Sequence, residues 1–131
     1  MRTELLEARE FEQMSKLDVH ALADALTSGE AHVLERAVRF ICAETEGLWH
    51  GRGRAMMCRR LKHLELPRAH RDRLLHAILG RLNSGHFSEQ FRDQLRLAMR
   101  LDKEETVAAA RSALDSRKEH VRRYARWVLS T

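Results

Sequence analysis

The chain has 131 residues, 44% of them apolar and 33% charged, and 24 Lys and Arg against 19 Asp and Glu give a net charge of +5. This composition fits one folded domain over residues 1–131 and excludes a disordered, collagen-like or disulfide-scaffold protein. Apolar stretches are only a few residues long, far short of the ~20 apolar residues that a membrane span needs. Residues 1–7 are acidic and amphipathic instead of basic and then apolar, so we expect no export signal and a cytoplasmic protein.

The chain is predicted to be helical throughout, because the alternation typical of strands is missing and only Pro67 breaks the helical pattern. In the first helix Leu5, Leu6, Phe11 and Met14 are the apolar positions. The apolar spacing predicts about seven to eight helices. Their approximate ranges are 3–15, 18–27, 30–46, 54–66, 67–83, 88–101, 102–115 and 118–130.

Several helix starts carry recognisable signals. Asp18 is the predicted N-cap of the second helix, and Pro67 suits the first turn of the fifth. Ser88 with Glu89 is predicted to open the sixth, and Asp102 or Lys103 to start the seventh. Since most connections are therefore short, neighbouring helices are expected to run antiparallel.

Charge is unevenly distributed along the chain. Residues 1–47 carry 5 basic and 10 acidic side chains, residues 48–101 carry 12 and 4, and residues 102–131 carry 7 and 5. An acidic first third before a basic middle predicts a dipolar surface that can attract a partner or a second copy of the chain. The plainer interpretation is that mixed-charge helices need solvated faces.

Helix-turn-helix units recur along the chain. Turns at residues 26–29, 82–85 and 114–117 each end one amphipathic helix and lead into another, and the fourth helix is inserted between the first two units. Stacked antiparallel helix pairs with a continuous core make an α-solenoid. The helices after the turns share an apolar frame: Val33, Ala37 and Ile41; Phe91, Leu95 and Met99; Val121, Ala125 and Leu129.

The last unit resembles the second helix of a HEAT repeat, whose pattern is an acidic residue, then Val-Arg, then Ala and an aliphatic residue. Those positions hold Glu119, Val121-Arg122, Ala125 and Leu129. A weaker match to the same pattern begins at Phe91-Arg92. In the earliest unit Leu34 stands where the Arg is expected, and the first helices lack the usual proline. The chain thus resembles HEAT-like or armadillo-type α-solenoid proteins, most strongly over residues 103–130.

This resemblance implies an all-α fold, a short right-handed α-α superhelix of about seven to eight antiparallel helices. HEAT-like proteins mostly act as binding scaffolds through the concave face that their second helices line. A few are similar in fold but grip DNA, including a family of bacterial alkylpurine DNA glycosylases. No motif around an Asp of this chain matches that family, so no catalytic residue is carried over.

The segment from Gly47 to Gly53 holds three of the six glycines and is predicted to be the one clear loop. It places Trp49 and His50 beside Arg52 and Arg54, just before a predicted helix N-terminus whose N–H groups can hold a phosphate or carboxylate. The segment matches no nucleotide-binding fingerprint, so a structural connector is the competing interpretation. Arg59 and Arg60 follow on the helix.

The last helix offers a second basic surface. Its apolar stripe leaves Arg122, Arg123 and Arg126 on the opposite side, with Trp127 at the border. Arg123 and Trp127 are spaced to form a cation–π pair, and Glu119 can pair with Arg122 or Arg123. In HEAT-like repeats the Arg after Val commonly binds an acidic turn residue of the neighbouring unit.

Metal and covalent chemistry have little support in the sequence. Cys42 and Cys58 are too few for a disulfide scaffold and are interpreted as buried reduced thiols. No two of the eight histidines have the spacing that places two ligands on one helical face, so no metal site is predicted. No cofactor motif and no catalytic residue are recognisable.

These features predict a HEAT-like interaction module, not an enzyme, that binds a protein partner through a partly basic concave groove, and a basic groove is compatible with an acidic partner. Nucleic-acid backbone binding is the alternative, and a glycosylase-like enzyme is third. Self-association through the acidic first third and the basic middle is a further interpretation, and no membrane partner is expected. A single groove requires the arginines of the fourth and last helices to lie on one side of the molecule. The candidate partner or phosphate contacts are Trp49, Arg52, Arg54, Arg59, Arg60, Arg123, Arg126 and Trp127.

Overall fold

The computed structural model describes residues 2–88 and 90–131, and within these ranges the side chains from residue 7 onward. Its regular structure consists of eight α-helices and one short 3-10 helix, and the described ranges contain no strand. The prediction of an all-α fold is confirmed. The elements are α1 (Arg2–Glu12), α2 (Lys16–Ala25), the 3-10 helix (Leu26–Ser28), α3 (Ala31–Cys42), α4 (His50–Leu61), α5 (Arg68–Ser84), α6 (Phe91–Leu101), α7 (Lys103–Ala113) and α8 (Glu119–Ser130).

Some sequence predictions fall outside the described parts of the chain. They concern the side chains of Leu5 and Leu6 and the role of Glu89 at the start of the sixth helix. The helix itself, α6, begins at Phe91, later than predicted. The N–H of Phe91 donates to the carbonyl of Ser88 over 3.2 Å, so Ser88 belongs to a turn ahead of the helix.

The N-terminus of α2 differs from the prediction that Asp18 caps it. Ser15 is the N-cap: its Oγ accepts from the N–H of Asp18 at 3.1 Å, and the Asp18 carboxylate accepts from the N–H of Ser15 at 3.0 Å. This reciprocal capping box satisfies two N–H groups that a helix start leaves without partners. Asp18 therefore lies in the first turn of a helix that begins at Lys16.

The end of α3 and the start of α4 also differ from the predicted bounds. α3 ends at Cys42 instead of Glu46, and the next residue, Ala43, is extended. α4 begins at His50, so Gly51 and Gly53 lie in its first turn and the connection covers residues 43–49. The prediction of a loop that continues to Gly53 is wrong.

Close helix packing explains why a glycine stands inside α4. A Cβ atom on Gly53 would lie 2.1 Å from Cγ1 of Val19, a buried residue of α2. The glycine that the sequence assigns to a loop therefore lets α4 approach α2.

The helices make two series of contacts. α4 packs between α2 and α6, whereas α5 packs between α3 and α7. α8 packs on α7 and α5, and the rings of Tyr124 and Phe91 join α8 to α6 with centroids 5.8 Å apart. The apolar frame treats α3 and α6 as equivalent, and both contact α4 and α5, but α3 packs mainly on α5 whereas α6 packs mainly on α4.

The core follows the apolar stripes of the helices. Phe11 of α1 meets Phe40 of α3 edge to face at 5.6 Å, and both are buried. Cys58 is fully buried and Cys42 partly so, and both are free thiols. Burial raises the pKa of the Cys58 thiol to about 12, so this cysteine is neutral and unreactive at physiological pH.

Candidate interaction surface and polar cleft

Trp49 joins α4 to α2. It stands directly before α4 in a left-handed backbone conformation (φ 73°), which residues other than glycine rarely adopt. Its indole stacks on the ring of His20 with centroids 5.6 Å apart, and Nζ of Lys16 lies 5.3 Å from the ring centroid. Trp49 thus contacts α2 at the start of α4, as the connector interpretation expects.

Arg54 is directed to the 43–49 connection and not to solvent. Its Nη1 donates to the hydroxyl of Thr45 and its Nη2 to the carbonyl of Thr45, each over 2.7 Å. The guanidinium also lies 5.7 Å from the ring centroid of Phe40. Burial lowers the pKa of Arg54, because a cation loses hydration there.

Two further side chains hold the same connection. His50, fully buried, has Nε2 2.9 Å from the carbonyl of Met14 and Nδ1 2.8 Å from the hydroxyl of Thr45. Since a carbonyl only accepts, Nε2 must donate its hydrogen to Met14. The Glu12 carboxylate accepts from the backbone N–H groups of Glu46 and Gly47. Side chains of α1 and α4 therefore hold the 43–49 connection in place through hydrogen bonds.

Two buried polar residues beside this connection were not predicted from the sequence: Arg81 and Gln94, which are 6% and 2% exposed. Arg81 donates from Nη1 to Oε1 of Gln94 at 2.8 Å, from Nε to Glu44 at 3.0 Å, and from Nη2 to the carbonyl of Ile41 at 2.7 Å. That last bond binds the final turn of α3. A detectable signal was present, because both residues fall on the apolar stripes of their helices.

A cleft opens between the 43–49 connection and residues 85–88. We call it the loop cleft; its volume is about 380 Å³. It is lined by Glu44, Thr45, Glu46, Gly47, Gly51, Arg54, Arg81, Gly85, His86, Phe87, Ser88 and Gln94.

The remaining candidate arginines of α4 lie outside the loop cleft. Arg59 pairs with Asp93 of α6 at 2.8 Å, and Arg60 pairs with Asp24 of α2 at 3.0 Å. Arg52 is exposed and makes no ion pair or hydrogen bond with any residue in the described ranges. The candidate arginines of α4 therefore divide between the loop cleft, where Arg54 lies, and the outer surface.

The candidate residues of α8 have other partners than the sequence predicted. The Arg123 guanidinium lies 5.9 Å from the ring of its neighbour Tyr124, and it forms no stack with Trp127. Trp127 is instead contacted by Arg92 and Arg96 of α6, 5.4 and 5.3 Å from the ring centroid. The predicted Arg123–Trp127 pair is therefore wrong.

Glu119 organises the other arginines of α8. Its carboxylate accepts from Arg122 and from Arg126, the latter at 3.1 Å, and both bonds lower the pKa of Glu119. Arg122 also donates to the carbonyl of Ser116 in the preceding turn at 2.7 Å. Arg122 thus holds the start of α8, whereas Arg126 remains exposed.

Contacts across α6 connect Arg59 of α4 with Trp127 of α8. Asp93 accepts from Arg59 at 2.8 Å and from Arg96 at 3.3 Å, and Arg96 in turn contacts Trp127. The α6 residues were not predicted as contact residues from the sequence, although Arg92 and Arg96 have the four-residue spacing of one helical face. We use the name arginine face for the residues around these contacts, Arg59, Arg92, Arg96 and Trp127, together with Arg60 of α4 and Arg123 and Arg126 of α8.

The described ranges contain no group of three or more His, Cys, Asp or Glu side chains placed to hold a metal ion. In the same ranges no helix is long and apolar enough to cross a membrane.

Comparisons of the chain with protein-family models, with curated proteins and with solved structures found no match.

Proposed function

We propose that this chain is a small HEAT-like interaction module, without a catalytic activity of its own, whose arginine face binds an acidic segment of a protein partner. The architectural part of the proposal is a short right-handed α-solenoid. It is supported by the order of helix contacts, in which α2, α4 and α6 form one row and α3, α5 and α7 another. Two such rows are typical of stacked helical hairpins.

The units of this solenoid are the hairpins α1–α2, α3–α4, α5–α6 and α7–α8. The sequence pattern instead predicts a first unit made of the second and third helices, followed by an inserted fourth helix. In the proposed grouping α3 pairs with α4, so α4 is the second helix of a hairpin and not an insertion. The arginine face then lies on three second helices, α4, α6 and α8. HEAT-like proteins mostly bind their partners on the face lined by second helices, so the charge and the proposed architecture agree.

The contact of Trp127 with Arg92 and Arg96 is the observation that carries the proposed binding role. Tryptophan and arginine are the residues most enriched among those that dominate binding energy in protein interfaces. Here they lie together on a surface where Arg123 and Arg126 are also exposed. Carboxylates of a partner can form charge-assisted, bidentate hydrogen bonds with such guanidinium groups.

Carboxylates within the arginine face favour a protein over a nucleic acid. Asp93 neutralises part of the charge of Arg59 and Arg96, and Glu119 does the same for Arg126. A nucleic-acid backbone gains affinity mainly from unneutralised cations that displace counterions. Paired arginines instead present oriented donors, which suit a specific acidic segment.

Nucleic-acid binding is the second candidate, and Trp127 is the observation that favours it. An aromatic ring beside several cations is the arrangement that stacks an unpaired base while the cations follow the backbone. The two candidates differ in salt dependence, because phosphate neutralisation makes affinity fall steeply as salt rises.

A matched pair of double variants tests the proposal. Arg92→Ala with Arg96→Ala removes the contacts of Trp127, while Arg68→Ala with Arg111→Ala removes the same charge from exposed positions on α5 and α7. Binding of a fluorescent poly-glutamate peptide is measured by anisotropy. We expect the first variant to bind about tenfold more weakly and the control less than about twofold more weakly.

The same variants are titrated with duplex and single-stranded DNA at low and high salt. Equal losses in both variants with the peptide would mean that only net charge matters, which contradicts the proposed site. Tighter binding of DNA, lost in the arginine-face variant and strongly salt-dependent, would replace the protein partner with a nucleic acid.

A further inference from the structure

Two exposed leucines stand beside Trp49. Leu17 of α2 is 80% exposed, and Leu48, directly before Trp49 in the chain, is 91% exposed. Leu17 and His20 have the three-residue spacing of neighbours on one helix surface, and the His20 ring stacks on Trp49. Single exposed leucines are ordinary, whereas apolar side chains gathered on a surface mark an interaction site. We call Leu17, Leu48 and Trp49 the apolar patch.

The backbone of Trp49 shows that its ring is held in place. Its left-handed conformation (φ 73°) is strained for a residue with a Cβ atom and would suit glycine without strain. Such a conformation persists only where surrounding contacts hold the residue, here the stack on His20 and the contact with Lys16. The indole stays partly exposed despite these contacts. A tryptophan fixed at the surface is a strong contact residue for a protein partner.

Cations without acidic partners border the apolar patch. Lys16 and Arg52 are both exposed, and neither forms an ion pair with the residues that the structure describes. Lys16 contacts the Trp49 ring, and Arg52 follows Trp49 by three residues in the first turn of α4. Two carboxylates close in sequence are placed elsewhere, because Asp18 is bound in the capping box of α2 and Glu46 lines the loop cleft. The positive border of the patch is therefore complementary to an acidic partner.

The apolar patch continues into the arginine face along the contact between α2 and α4. Arg60 pairs with Asp24 at 3.0 Å, the Asp24 carboxylate lies 3.1 Å from Nδ1 of His20, and His20 stacks on Trp49. Trp49 and Arg59, near the two ends of α4, are about 15 Å apart along the helix axis at a rise of about 1.5 Å per residue. An extended peptide covers that distance with about four to five residues.

From this arrangement we propose that the apolar patch binds a leucine or similar aliphatic side chain of the acidic partner segment, about four to five residues from its acidic stretch. The inference rests on the proposed function, because the arginine face holds the acidic stretch of the same segment. It gives the partner a second requirement, an apolar anchor at a set distance, which the arginine face alone does not impose.

Two other occupants fit the apolar patch less well. A second copy bound patch to patch would set its own Lys16 and Arg52 against the same cations. An anionic membrane would have to cover the exposed carboxylate of Asp24 on the adjoining surface, which repels it. A protein segment can instead place its acidic side chains beside the cations and its apolar side chain on the patch.

A pair of fluorescent peptides tests the patch by anisotropy. Both contain about six glutamates with a Gly-Ser spacer of about four residues on each side, which lets either chain direction reach the patch. One peptide ends in Leu-Leu on both sides and the other in Ser-Ser. We expect the Leu-Leu peptide to bind about tenfold more tightly, because burial of leucine adds to the same acidic contacts.

The affinity ratio of the two peptides separates this inference from the proposed function. Equal affinities would overturn the apolar anchor and leave the acidic site of the arginine face standing. Failure of both peptides to bind would overturn the proposed function and this inference together.

A double variant locates the leucine contact. Leu17→Ser with Leu48→Ser removes two exposed side chains that do not belong to the core, so we expect the advantage of the Leu-Leu peptide to fall from about tenfold to less than about twofold. Leu114→Ser is the matched control, an exposed leucine at the end of α7 outside the patch, and should keep the tenfold advantage. An advantage retained in the double variant, or lost equally in the control, would contradict the proposed contact.

The same variants test the other occupants. They are sedimented with vesicles of phosphatidylserine and phosphatidylcholine, and their mass is measured by sedimentation equilibrium. We expect neither vesicle binding nor a dimer that depends on Leu17 and Leu48. Vesicle binding lost only in the double variant would replace the peptide with a membrane surface, and a dimer lost only in that variant would replace it with a second copy.

Discussion

Gly53 lies at a contact where the absence of a side chain matters. Because a Cβ atom there would meet Val19 at 2.1 Å, Gly53→Ala forces α2 and α4 apart or displaces a buried valine. We expect it to lower the free energy of unfolding by about 1–3 kcal/mol, as overpacked core positions do. Urea denaturation followed by circular dichroism measures the change.

Gly80→Ala is the matched control, since a Cβ atom at that exposed position of α5 meets nothing within 4 Å. It should raise the free energy of unfolding by about 0.5–1 kcal/mol, because alanine loses less conformational entropy than glycine in a helix. An equal rise in the free energy of unfolding in both variants would show that helix propensity, and not the Val19 contact, governs Gly53.

Arg81 shows where residue-level prediction reaches its limit. Its position on the apolar stripe of α5 indicates burial, but an arginine there is tolerated only with partners for its donors. Those partners include Glu44 and the Ile41 carbonyl, which are 37 and 40 positions away along the chain. No local pattern brings such distant groups together, so the buried cluster became visible only in the folded chain.

The capping box of α2 makes a pH-dependent prediction at the scale of one element. Hydrogen bonds from the Ser15 backbone and then from its side chain lower the pKa of Asp18. A carboxyl group whose pKa is lower in the folded state stabilises the fold above its unfolded pKa of about 3.9, and this contribution is lost as pH falls through the folded value. Asp24 and Glu119 have lowered pKa values for the same kind of reason, bonds from Arg60 and Arg122 respectively, and add in the same direction.

Ser15→Ala should lower the free energy of unfolding by about 1 kcal/mol at neutral pH through loss of the cap. The variant should also lose less stability than the unmodified chain when the pH is lowered from neutral to below about pH 3. Thermal unfolding at several pH values measures both effects. Ser112→Ala, an exposed serine of α7 without a capping bond, is the control. A parallel acid dependence in all three proteins would contradict the role of the capping box.

At the scale of the whole molecule, the acidic side chains of the first third are less available to a second copy of the chain than their number suggests. Asp24 pairs with Arg60 of α4 and Glu44 pairs with Arg81 of α5, so part of the acidic excess is already neutralised within the chain by cations of the basic middle. We therefore expect the chain to remain a monomer at salt concentrations of about 20 and 300 mM, between which screening changes greatly. Sedimentation equilibrium measures the mass. A dimer at low salt that dissociates at high salt would restore self-association through the acidic third and the basic middle.

The sequence by itself determined the all-α class and the approximate place of most helices, because three- and four-residue apolar spacing and local caps act over a few residues. It also located the basic character of α4 and α8, since charge can be counted along the chain. Only the tertiary structure decided that Arg59 and Trp127 are connected across α6, and that Arg54, Arg81 and Gln94 meet beside one cleft. The physical reason is that these contacts depend on how whole helices stack, and stacking is determined by close packing such as that of Gly53 on Val19.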